Sequence, residues 1–268
     1  MHLWQDFVIS KLKLVTRSPS VVSSARLLRV VVPHAFGQER LIPPLAEYLR
    51  RYPRMTVEWL LHDDHAVQDY IAAGVDCAIQ VGAVTDPSLV AIRICDVPRI
   101  VAAAPEVFGG APVPEDARDL ADLPWLALRT FYRNSLTLTH ADTGEVRQLA
   151  LAPRFSTDSL YALRSAALAG LGLCVGSAWV LRQDLADGRL VHVAPHWQAA
   201  PLPVSVVYPY ARFYPARLRR FVEIIRAAAP AIFLNAGASG PGTPRRQRST
   251  VAPHGSRVSG DSSARARR

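Results

Sequence analysis

The chain is poor in the residues that support covalent frameworks and redox work. It has three cysteines in 268 residues, Cys77, Cys95 and Cys174, and no Cys-x-x-Cys pair. That spacing excludes a disulfide scaffold and a thioredoxin-like centre. It fits small core residues in a reducing compartment. No apolar run reaches the ~18 residues that a spanning helix needs, so no membrane partner is expected. Residues 3–15 are apolar but interrupted by Lys11 and Lys13, and no clear small-x-small site follows. A secretory signal is therefore not expected, and the location expected is cytoplasmic. Trp4, Val8, Leu12 and Val15 make one stripe of a short helix, which Ser18-Pro19-Ser20 breaks.

Credible catalytic groupings are also missing. Ser177 has no Gly-x-Ser-x-Gly elbow around it, and no paired carboxylates or Cys/His arrangement stand out. Gly170-x-Gly172-x-x-x-Gly176 has the glycines of a dinucleotide loop in the wrong place. That loop needs strand, glycines, then helix, so that phosphate meets a helix start. Here a helix precedes the glycines, which read as a helix stop and close packing. His62-Asp63-Asp64-His65 groups possible ligands at a strand end, where Asp63 or Asp64 serves better as the cap of the next helix. An enzyme, a cofactor and a metal are accordingly not expected.

Acidic residues are scarce in the last segment. Residues 235–268 hold seven arginines against one aspartate, a net of +6 out of the chain's +9. The body is thus only mildly basic, at +3. The segment is Gly, Ser, Pro and Arg with almost nothing apolar, so it is expected to be disordered.

What is present is alternation of helix and strand. Half of the chain is apolar, enough for a sizeable core. In residues 158–179, Leu160, Leu163, Ala167 and Leu168 recur at helical spacing. Ser156, Thr157 and Asp158 supply start chemistry, and Gly170 suits the left-handed residue after a helix end. Residues 171–175 then read as a strand covered on both faces, with a second helix from near Ser177. The same reading gives strands at 28–32, 56–61, 76–81 and 125–129. It gives helices at 38–51, with Leu41, Leu45, Tyr48 and Leu49 inward, at 67–73, and at 215–228. Residues 89–94, 99–103 and 204–208 are extended segments crossing between two lobes. Residues 131–147 read as a loop. Two short joints per unit are the grammar of an α/β domain. Two crossings make it a two-lobed clamshell of the periplasmic-binding-protein kind. The expected divisions are an N-terminal segment 1–27, lobe one at 28–104 with 208–232, and lobe two at 105–207.

The chain resembles the effector-binding domain of LysR-type transcriptional regulators. Leu28-Arg29-Val30-Val31-Val32-Pro33-His34-Ala35-Phe36-Gly37 is similar to that family's first strand and helix start. Gly74-Val75-Asp76-Cys77-Ala78-Ile79-Gln80-Val81-Gly82 resembles its third strand, and Ala169-Gly170-Leu171-Gly172 its helix-closing turn. Asp187-Gly188-Arg189-Leu190-Val191 and residues 202–209 complete the order over about residues 28–230. The resemblance implies a module that senses a small-molecule effector between the lobes. It also implies self-association, as a homodimer or tetramer, through helix 38–51 and strand 56–61. DNA contact in that family comes from an N-terminal winged helix-turn-helix. Only 28 residues precede Arg29, so a member without its DNA reader, or a truncated one, is expected. The alternative is a solute-binding protein of a transporter, which shares the clamshell but needs an export signal.

A cleft between lobes collects helix starts and strand ends. The starts are His34–Gln38 and residues 157–159, whose amides favour an anionic or carbonyl-bearing guest. The expected effector contacts are His34, Ala35, Phe36 and Gln38 at the first start, and Gln80 and Gly82 at the end of the third strand. Ile100 and Val101 join them near the first crossing, where Arg99 also lies. Thr130, Phe131, Asp158 and Ser177 are expected from lobe two. In the resembled family the position of Ala35 is often Ser or Thr, so the usual hydroxyl contact is lost. Asp158 stands where Asn is frequent, and its carboxylate is expected to cap the helix and repel an acidic guest.

Overall fold

The computed structural model describes residues 26–63 and 73–234. The predicted N-terminal stripe, the helix at 67–73, residues Asp64 and His65, and the Arg-rich segment lie outside the described residues.

Strand β1 (Leu27–Val32) pairs in parallel with β2 (Thr56–Leu61) on one side and β3 (Cys77–Val81) on the other. Leu28, Val30 and Val32 are fully buried in the main core. Val31 points the other way and packs with Val75, Ala78 and Val207. A strand covered on both faces needs apolar residues at consecutive positions, which the run Val30-Val31-Val32 supplies.

The predicted helix at 38–51 is two pieces. Residues Phe36–Arg40 wind as a π-helical turn, with the Leu41 amide donating to Phe36 O. Helix α1 (Ile42–Arg51) then restarts, the Leu45 amide donating to Leu41 O. The cause is Pro43-Pro44. Neither has an N–H to give to Glu39 or Arg40, so one continuous ladder cannot run through them, while both are tolerated in a first turn. Leu45 and Tyr48 face inward as expected, but Leu49, at the edge of the stripe, is 37% exposed.

β4 (Leu89–Ala103) is one strand where two segments are expected. Pro98 interrupts the sequence pattern but not the strand. It sits beside a register shift against β11 (Trp197–Pro209), which takes up the missing donor. β4 and β11 pair antiparallel from Leu89↔Pro209 to Arg99↔Ala199. At one end β11 joins β3; at the other β4 carries β9 (Cys174–Ser177) and β10 (Val191–His192). These two long strands are the crossings of a two-lobed α/β fold.

On the second side, β5 (Leu126–Leu128) pairs in parallel with β8 (Phe155–Thr157). The predicted loop at 131–147 contains β6 (Ser135–His140), which pairs with β7 (Val146–Ala150). Its SLTLTH alternates buried Leu136 and Leu138 with exposed neighbours, the period of a half-covered strand. Helix α2 (Leu160–Leu168) ends in two crossed bonds, Gly170 N to Ala167 O and Leu171 N to Ala166 O, with Gly170 at φ 71°. That is the Schellman pattern, and the left-handed residue it needs is the glycine. The strand after it begins at Cys174, three residues later than the sequence suggests, because Leu171 is still tied to the helix end through its amide. Helix α3 (Ala178–Ala186) follows at once, and α4 (Ala216–Leu234) closes the chain's described part. Phe221 of α4 meets Tyr48 edge-on at 5.6 Å, and both are fully buried. Burying a ring of that size contributes about 2 kcal/mol. Among the described residues no helix is long and apolar enough to cross a membrane.

Candidate functional site

A cavity of about 70 Å³ lies where the two lobes meet. Its first wall comes from the chain leaving β1, with Val31, Pro33, Ala35 and Phe36. Its second wall comes from the ends of β5, β8 and β9, with Thr130, Phe131, Asp158, Leu160 and Ser177. The crossings contribute Arg99 and Leu202 to the lining, and β3 contributes Gln80.

The first helix start is capped from a distance. Asp63, just past β2, accepts a 2.8 Å bond from the His34 amide, and its other oxygen lies 3.2 Å from His34 Nδ1. Asp63 thus serves the first helix start, and the helix expected after it lies outside the described residues. The second start is capped locally. Ser159 Oγ accepts from the Ala162 amide, and Thr157 Oγ1 from the Ser159 amide. Asp158 therefore is not the cap. Its carboxylate is 63% exposed and lies 4.0 Å from Arg129.

Contacts outside the cavity tie the walls together. Phe36 packs against Trp179 of α3 at 5.4 Å, and Arg40 lies 4.8 Å over the same indole. Tyr161 of α2 donates to Glu39 at 3.0 Å. Burial and that bond to a carboxylate push the Tyr161 hydroxyl up to about 12, so it stays a donor at neutral pH.

Arg99 is the lining residue with unanswered charge. Its Nε donates to Ala200 O at 2.7 Å, and burial lowers its pKa. Among the described residues no carboxylate comes within ion-pair distance of it. Beside it, Tyr132 is locked in place: its hydroxyl accepts from the Val175 amide at 2.8 Å and lies 3.2 Å from Val175 O. Burial raises its pKa well above the usual phenol range.

Seven residues named from the sequence line this cavity: Ala35, Phe36, Gln80, Thr130, Phe131, Asp158 and Ser177. The structure places His34, Gln38, Gly82, Ile100 and Val101 outside it. His34 turns to Asp63, Gln38 is exposed, and Val101 is fully buried in the core. Gly82 is fixed by its amide bond to Pro203 O. Ile100 points away from the face of Arg99, as strand alternation requires. Sequence reasoning missed Pro33, His62, Asp63, Tyr132 and Leu202, and put Arg99 only near the crossing. A usable signal for Arg99 was there: a lone charge opening the apolar run Ile100-Val101-Ala102-Ala103. Among the described residues no group of three or more His, Cys, Asp or Glu could hold a metal ion.

Two α/β lobes, two crossing strands and a cavity between them are the architecture that regulator effector domains and solute-binding proteins share. Residues 23–230 match the LysR substrate binding domain, and the chain belongs to that family. It is 28% identical over 199 residues to the HTH-type transcriptional regulator PtxR of Pseudomonas aeruginosa, covering 74% of this chain and 63% of that protein. It is 31% identical over 182 residues to the HTH-type transcriptional activator AaeR of Escherichia coli, covering 68% and 58%. The chain thus spans less than two thirds of the length of these relatives. Among solved structures, the regulatory domain of AphB in Vibrio vulnificus is similar at a TM-score of 0.63 and 27% identity, covering 75% of this chain and 98% of that one. The CrgA regulatory domain of Neisseria meningitidis shares the fold at a TM-score of 0.62 and 23% identity, covering 76% and 98%. These relatives are transcriptional regulators, and the transporter alternative has no support among them.

Proposed function

We propose that the chain is the sensing module of a cytoplasmic LysR-type transcriptional regulator, binding a small metabolite in the cavity between its lobes. It works by binding and not by catalysis, and uses no cofactor. The observation that carries this reading is the convergence of two helix starts on one cavity, one on each wall. A guest held by both walls binds the closed arrangement better than an open one, and only such a difference can shift a conformational equilibrium. On this reading lobe one is residues 28–104 with 208–232, and lobe two is 105–207. Effector contacts are assigned to Ala35, Phe36, Gln80, Thr130, Phe131, Asp158 and Ser177, joined by Arg99.

Self-association through α1 and β2 belongs to the same reading. Among the described residues β2 is an edge of the main sheet, with a row of main-chain groups that a second copy could pair. DNA contact belongs to a winged helix-turn-helix of the kind the relatives' HTH names describe, and to none of the described residues.

The test is a melting-temperature screen of the purified chain against small metabolites. At least one class is expected to raise the melting temperature, and Ala35→Trp, which fills the cavity, is expected to abolish the rise while circular dichroism stays unchanged. Ligands that stabilise both proteins equally would place binding elsewhere.

A further inference from the structure

Arg99 opens a question about the guest's charge. A half-buried guanidinium gains from a charged partner, since its withdrawal from water is only partly repaid by one carbonyl. Its Nε is committed to Ala200 O, and among the described residues its terminal Nη atoms have no carboxylate or carbonyl partner. The other charges lining the cavity are spoken for. Asp63 caps the His34 amide, and Asp158 is largely in solvent beside Arg129. Arg99 pairs in strand register with Ser177, which is 8% exposed, so both side chains leave the sheet on one face and both line the cavity. Away from this polar corner the lining is apolar, with Phe36, Phe131, Leu160, Val175 and Leu202.

We propose that the effector is a small monocarboxylate with an apolar body, its carboxylate forked onto the Nη atoms of Arg99 beside Ser177 and its body packed between Phe131, Leu160 and Leu202. Arg is suited to this because its planar fork matches a carboxylate in two parallel bonds. One carboxylate is the limit. Among the described residues Arg99 is the one Arg or Lys that lines the cavity, and a second anionic group would face Asp63 or Asp158. The proposal rests on the cavity being the effector site, and its test separates the two.

Benzoate, benzamide and benzylamine share a shape and differ in charge, so isothermal titration of the whole chain with each reads charge preference alone. Benzoate is expected to bind about tenfold or more tighter than either analogue. Arg99→Gln is expected to remove that preference, leaving benzamide affinity within about threefold. Arg99→Lys, which keeps the charge and loses the fork, is expected to retain part of it, and guards against a misfolded first variant. Ala35→Trp is expected to abolish binding of all three. If benzamide or benzylamine matches benzoate, or if Arg99→Gln leaves benzoate affinity alone, the charge proposal falls. Loss of those same affinities in Ala35→Trp would then leave the cavity reading standing. Benzoate binding indifferent to both Arg99→Gln and Ala35→Trp overturns both. No heat from any probe at about 5 mM, where a ligand of the right class should register, also overturns the proposal.

Discussion

The two helix starts that meet at the cavity are built in opposite ways. The second is self-contained: Ser159 caps it, Gly170 ends it, and three residues separate Gly170 from β9. The first borrows its parts. Its cap comes from Asp63, 29 residues away, and its winding slips because Pro43 and Pro44 withhold donors. The helix start on one wall is therefore fixed by local chemistry, and that on the other by tertiary contacts. A wall held from a distance can be re-set by a guest more easily than one that holds itself.

Four substitutions bear on that contrast, from the largest effect to the smallest. Gly172→Ala strikes the second wall at its tightest point, against Pro124. Gly172 sits at φ 149°, and a Cβ there would lie 2.5 Å from Pro124 O. The combined backbone strain and overlap should cost about 4 kcal/mol, read by denaturant melts. A loss below about 1 kcal/mol would mean the turn relaxes freely. Asp184→Ala tests the long-range support of the same wall. Asp184 is fully buried, and Arg164 of α2 reaches it with two bonds of 2.5 and 2.7 Å. Removing it should cost about 3 kcal/mol, less than for a fully buried pair because both arginines that meet it are partly in solvent. Asp63→Ala removes the distant cap of the first start. A charged acceptor lost from a half-buried amide should cost about 1 to 2 kcal/mol. Ser159→Ala removes the local cap of the second and should cost about 1 kcal/mol. Equal or inverted costs for these last two, measured side by side, would erase the asymmetry.

The same contrast explains what could be read in the sequence. Signals that act within a few residues were legible. The helix stop at Gly170, the strand over residues 56–61 and the buried face of Leu218, Phe221, Val222 and Ile225 are all present as expected. The hairpin of β6 and β7 was legible too, in the alternation of Leu136 and Leu138, but its polar partners Thr137 and Thr139 disguised it as a loop. The split of the first helix stood in plain view at Pro43-Pro44, yet its π winding depends on how β2 and α3 hold the turn. Caps supplied by a remote strand leave no local mark, so nothing in the sequence ties Asp63 to the His34 amide. Within the site, the small and apolar lining was readable because strand ends and helix starts converge there by topology. Arg99 was not, because its role depends on which face of β4 turns inward, and Pro98 obscures that count.

Hydrogen exchange of the chain saturated with benzoate addresses the two-walled site most directly. Amides of residues 35–37 on the first wall and 160–162 on the second should both gain protection, with the first gaining more, while the hairpin of β6 and β7 stays unchanged. Protection confined to one wall, or raised in the hairpin alone, would contradict a guest held between the two helix starts.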